Sequence, residues 1–173
     1  MISYANILIA LADLSNLFVN LRKRERDFMT KYVVLISHGE FAPGLRTAVF
    51  MMTGPKDEVL TTSLKDGMSA DEFQNNFREL IKPITDDDQI ILLADILGGS
   101  PLTKALEVLS ERNLLDKSLV LTGMNMPMAM TAVIMKDNID DRDQLRDTIL
   151  SEAKSAVGEF VTTSSADDDD DDL

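Results

Sequence analysis

Val33-Val34-Leu35-Ile36-Ser37-His38-Gly39 and Ile90-Ile91-Leu92-Leu93-Ala94-Asp95 are the two stretches on which the reading of this 173-residue chain turns. Each opens with four consecutive apolar residues and closes on polar ones. A strand with one wet face alternates apolar and polar residues, so an unbroken apolar run of strand length fits a strand covered by helices on both sides, as in a parallel sheet. The pair is therefore placed at the centre of the sheet, with strands predicted over Tyr32–Ser37, Glu58–Leu64, Gln89–Asp95 and Ser118–Thr122. Amphipathic segments between them complete βα units, and the fold class is α/β, a mostly parallel four-stranded sheet between helices.

The helices carry their own signals. Ser69-Ala70-Asp71-Glu72 fits a capping box, and Phe73, Phe77, Leu80 and Ile81 then share one helical face, which Pro83 ends. Pro43, Pro101 and Pro127 each follow a strand and open an amphipathic segment. They suit the first helical position, where a missing N–H costs nothing. All three loops then lie at the carboxyl edge of the sheet. A last helix, roughly Asp141–Val157, is expected to turn Leu145, Ile149, Ala153 and Val157 inward, with a further short strand over Glu159–Thr163.

The ends read differently. In residues 1–28, Ile7, Leu11, Leu14, Phe18 and Leu21 recur at helical spacing before the charged stretch Arg22-Lys23-Arg24-Glu25-Arg26-Asp27, an amphipathic N-terminal extension. Asn6, Asp13, Ser15, Asn16 and Asn20 interrupt it too often for a membrane span. Its positive charges follow the apolar stretch instead of preceding it, which argues against a signal peptide. The other reading is a domain that starts at Met29, with the preceding residues not translated. Residues 164–173 form an acidic tail expected to be disordered.

Composition narrows the chemistry. The net charge is −13, and removing the six aspartates of Asp167–Asp172 leaves −7. An acidic surface with no Lys/Arg cluster in the body of the chain repels nucleic-acid phosphates, so nucleic acid is excluded as a partner. With no cysteine, disulfides and Cys-ligated metal sites are impossible. The chain also lacks a P-loop lysine and a dinucleotide fingerprint, and no cofactor or metal is expected.

Ligands of open α/β sheets bind beyond the carboxyl ends of the strands. That edge carries Ser37-His38-Gly39, then Asp95 to Pro101, then Gly123-Met124-Asn125-Met126-Pro127. His38, the one histidine of the chain, reads either as a capping or loop-packing residue or as a nucleophile. A carboxylate at the equivalent place on the neighbouring strand would fix its tautomer and direct the other nitrogen outward. Asp95 could play that part, or cap the amides of Leu97 to Gly99. Gly98-Gly99-Ser100 is either a tight turn into a helix or a backbone cradle for an anion, with the Ser100 hydroxyl as a further donor. Met124, Met126, Met128, Met130 and Met135 read as core filling before an adaptable contact surface. Phe41 is placed at the rim as a docking contact.

Taken together, these three motifs resemble the enzyme IIA domain of the mannose family of the bacterial phosphoenolpyruvate-dependent sugar phosphotransferase system. The likeness runs from about Thr30 to Val157 and defines a IIA domain over 29–163. The resemblance implies a cytoplasmic phosphotransferase in which His38 accepts a phosphoryl group from HPr and passes it to a separate IIB protein serving a membrane permease. It further implies that Asp95 hydrogen-bonds His38, that Gly39 and Ser100 hold phosphoryl oxygens, and that the chain is a homodimer exchanging its C-terminal strand. Two alternatives stay open here: a carrier domain feeding a dihydroxyacetone kinase, and a non-catalytic regulatory binding module.

Overall fold

The computed structural model describes residues 29–161; the amphipathic extension over 1–28 and the acidic tail over 164–173 lie outside them. Four strands, β1 (Lys31–His38), β2 (Val59–Leu64), β3 (Gln89–Ala94) and β4 (Ser118–Thr122), form one sheet in the order β2-β1-β3-β4. Every pairing is parallel. The two continuously apolar strands are the central pair, in register from Lys31 opposite Gln89 to Ile36 opposite Ala94.

Among the described residues five α-helices cover the sheet: α1 (Phe41–Thr53), α2 (Ala70–Leu80), α3 (Ser100–Glu111), α4 (Met126–Met135) and α5 (Arg142–Ser155). Successive side chains of a strand point to opposite faces, so the apolar run of β1 serves two cores. Val33 and Leu35 pack with Leu45 and Val49 of α1, Met128 and Val133 of α4, and Leu145 and Ile149 of α5. Val34 and Ile36 pack with Phe73 and Phe77 of α2 and with Leu102, Val108 and Leu109 of α3. Phe73 and Phe77 are fully buried with ring centroids 6.3 Å apart, each contributing about 1.5–3 kcal/mol by burial. The five methionines of the fourth-strand region serve the α1–α4–α5 core. Met124 and Met128 are buried, and Met126, Met130 and Met135 pack against them in part.

Helix starts follow the local chemistry. The Ser69 hydroxyl accepts the Glu72 N–H at 3.1 Å, the serine half of a capping box. Asn125 and Asp141 cap α4 and α5 in the same way, through the N–H groups of Met128 and Gln144. Pro101 and Pro127 occupy the second helical position and Pro43 the third, not the first. The rationale survives the shift, because none of the first four N–H groups of a helix has an intrahelical acceptor.

The end of the domain departs from expectation. Helix α5 stops at Ser155, and Val157 is exposed instead of turned inward. Helical periodicity alone extended the face by one position beyond the point where the sheet still offers something to cover. Residues 159–161 carry no strand in the single chain, and Thr162 and Thr163 of the expected strand lie outside the described residues.

Candidate functional site

The strand order reverses between β1 and β3: the chain passes from β1 outward to β2, then returns across the sheet to β3. Such a reversal opens a crevice at the carboxyl edge. His38 ends β1 on one side of it, and Asp95 follows β3 on the other. The imidazole Nδ1 lies 2.9 Å from Oδ2 of Asp95, and the same oxygen accepts the His38 backbone N–H at 2.9 Å. Oδ1 accepts the Ile96 N–H at 2.8 Å. The Asp95 carboxylate thus bonds both His38 and its own loop, the latter at Ile96 instead of at Leu97 to Gly99.

These contacts set the protonation states. Burial alone would push the Asp95 carboxyl up. The His38 backbone N–H, the imidazole hydrogen bond, the imidazole charge and the Ile96 N–H outweigh it and hold the group below the ordinary carboxylate value. An ionised Asp95 can only accept, so Nδ1 of the neutral ring carries the proton and Nε2 keeps its lone pair. The carboxylate is nearly buried, with 13% of its side chain exposed, whereas the imidazole is 42% exposed. The ring is thereby held through Nδ1 and remains partly open to solvent.

Glycines shape the approach, each differently. Gly98 turns the chain at φ 76°, a region that disfavours other residues. Gly99 has ordinary dihedrals, but a Cβ on it would lie 2.8 Å from Cε1 of His38 and 3.6 Å from Nε2. The imidazole therefore rests on bare backbone at the start of α3. Gly39 adopts φ 56°, and its N–H is committed to the Leu64 carbonyl at 2.9 Å. It shapes the turn after His38 and has no N–H to offer a ligand.

The helices beside the crevice start unlike the others. Neither Gly99 of α3 nor Glu40 of α1 gives its helix a side-chain cap. At α1 the buried Ser37 hydroxyl accepts the Ala42 N–H at 2.7 Å, a role that sequence reasoning did not assign. The Glu40 carboxylate instead meets Lys65, just past β2, at 3.0 Å. At α3 the exposed Ser100 opens the first turn with Pro101 behind it. Phe41, Ile96 and Leu97 are exposed around the crevice, so Phe41 stands at the rim as expected and two further apolar residues join it. A cavity of about 460 Å³ opens at the opposite edge of the sheet, between Lys31, Asp88, Asp116 and Arg142, and holds none of these motifs.

The crevice at the switch point of this parallel α/β sheet thus holds an imidazole hydrogen-bonded to a carboxylate. The family model for the fructose IIA component of the sugar phosphotransferase system matches residues 32–150. The fructose-specific EIIA component of Bacillus subtilis (strain 168) is 23% identical over 115 residues, 66% of this chain and 77% of that protein. Among solved structures, the IIA protein associated with the fucose utilization operon of Streptococcus pneumoniae superposes with a TM-score of 0.65 at 26% identity, covering 76% of this chain and 93% of its own. The mannose/sorbose-specific IIA subunit of Enterococcus faecalis gives 0.67 at 22% identity, covering 78% and 97%. The chain belongs to the mannose-type IIA family of the sugar phosphotransferase system, and its general role is that of a phosphocarrier in sugar uptake. No helix among the described residues is long and apolar enough to cross a membrane.

Proposed function

We propose that His38 is the residue that carries the phosphoryl group, on Nε2. The observation that supports this most directly is the 2.9 Å bond from Nδ1 to Asp95, which leaves Nε2 as the exposed nucleophile beside the start of α3. In the proposed reaction the Nε2 lone pair attacks phosphorus of phospho-HPr, and the donor nitrogen of HPr leaves with its bonding pair. The reverse sequence then delivers the group to a separate IIB protein that serves a membrane permease. Asp95, on the far side of the ring, stabilises the imidazole as it becomes cationic without opposing the incoming phosphoryl oxygens. The Ser100 hydroxyl and the first-turn amides of α3 supply donors for those oxygens, which suits a loose transition state stabilised mainly by positioning and electrostatics. Gly39 contributes by setting the turn.

The IIA domain is taken as residues 29–163, acting in the cytoplasm. Val157, Phe160 and Val161 are exposed in the single chain, and β4 is an edge strand. Both features favour a homodimer in which Glu159–Thr163 of each chain pairs with its partner. The site does not single out a sugar: the protein associated with a fucose utilization operon and the mannose/sorbose-specific subunit share this fold.

The test is intact mass after incubation with phosphoenolpyruvate, enzyme I and HPr. One acid-labile phosphoryl adduct is expected, dependent on HPr and absent in His38→Ala. A folded wild-type chain that takes up no phosphoryl group overturns the proposal.

A further inference from the structure

We infer that Lys65 is a counter-ion that exchanges the Glu40 carboxylate for the phosphoryl group on His38, and so sets how strongly the chain holds its cargo. The inference rests on the phosphoryl reading above. His38 and Leu64 face each other as register partners on adjacent strands, about 4.8 Å apart, and the Gly39 N–H bonds the Leu64 carbonyl. Lys65 is the next residue. Its backbone is therefore anchored one residue past the register partner of His38, at the same edge of the sheet, and its ammonium lies beside the carboxylate two residues past His38.

Charge gives the exchange its direction. Glu40 lies two residues past His38, at the N-terminus of α1, yet its carboxylate makes no capping bond and pairs with Lys65 at 3.0 Å. Both partners are more than half exposed, with 57% and 68% of the side chains accessible. Exposed pairs of this kind are weak and easily traded. A phosphoryl group brings about −1.5 to −2 charges, and its field acts over a screening length of about 8 Å at physiological salt. It repels Glu40 and outcompetes that single carboxylate for the ammonium. Lys31, Lys117 and Arg142 line the cavity at the opposite edge, and Lys104 on α3 is held by Asp71 and Glu107. Lys65 is thus a cation that the end of a strand delivers to the carboxyl edge.

The measurement is the equilibrium ratio of phosphorylated to free chain against a fixed pool of phospho-HPr, read by intact mass. Lys65→Met is expected to lower the ratio about two- to fivefold, the scale of an exposed ion pair, and Glu40→Gln to raise it by a similar factor. Lys65→Arg should restore the wild-type ratio, and added salt should shrink all the differences. Thermal melts confirm that each variant is folded. Equal ratios in wild type, Lys65→Met and Glu40→Gln overturn the inference while leaving His38 as the carrier. A wild-type chain with no adduct removes both readings.

Discussion

Asp95 shows how one side chain couples stability to chemistry. Its carboxyl is held below the ordinary value in the folded chain. Its contribution is fully present above the unfolded pKa of about 3.9 and is lost as pH falls below that through the lowered folded value. Asp95→Asn should therefore flatten the acid limb of the stability curve, measured by chemical denaturation from about pH 5 to pH 2, with its loss of stability largest at neutral pH and shrinking toward pH 2. The same variant should slow phosphoryl uptake by about two orders of magnitude, the cost of a poorly placed reacting group. Unchanged uptake in stopped-flow mixing with phospho-HPr would remove the orienting role. Sequence reasoning could propose this pair because both residues end continuously apolar strands. It could not supply the second hydrogen bond from the His38 backbone, nor the commitment of the Gly39 N–H to Leu64, since both depend on register between strands distant in sequence.

At the scale of elements, helix starts were legible where a side chain closes them and obscure where another strand does. Ser69 announces α2 within four residues, whereas α1 is closed by Ser37, which belongs to the preceding strand. Gly99 is the sharper case. Glycine before serine and proline suggests a turn, yet its dihedrals are open to any residue and the need for glycine comes from the imidazole packed on it. Gly99→Ala should cost about 1–3 kcal/mol by overpacking, or push the ring off Asp95. Either result is readable, the first in thermal denaturation and the second as a shifted Nδ1–H resonance with loss of phosphoryl uptake. A variant that melts like wild type and is phosphorylated at the same rate would show that the ring does not depend on this contact.

For the whole molecule, the parallel sheet and its central pair were readable because four-residue apolar runs leave few other places to go. The C-terminal end was not, because no core among the described residues takes up Phe160, which is exposed. Sedimentation velocity should find a dimer, and Phe160→Asp should shift it toward monomer by placing a charge where an apolar contact forms. A wild-type monomer at concentrations of tens of micromolar would end the strand-exchange reading.

The hydrogen bond joining His38 to Asp95 spans 57 residues of chain, and so bears on synthesis. A nascent polypeptide that has released β1, α1 and β2 already holds the proposed nucleophile, but not the strand whose following carboxylate bonds it. Loading competence arrives only when β3 docks beside β1, after more than half the chain has been made. On the proposed role of His38, incomplete or misassembled copies are expected to be poor acceptors, which would shield the sugar-uptake relay from losing phosphoryl groups to molecules unable to pass them on.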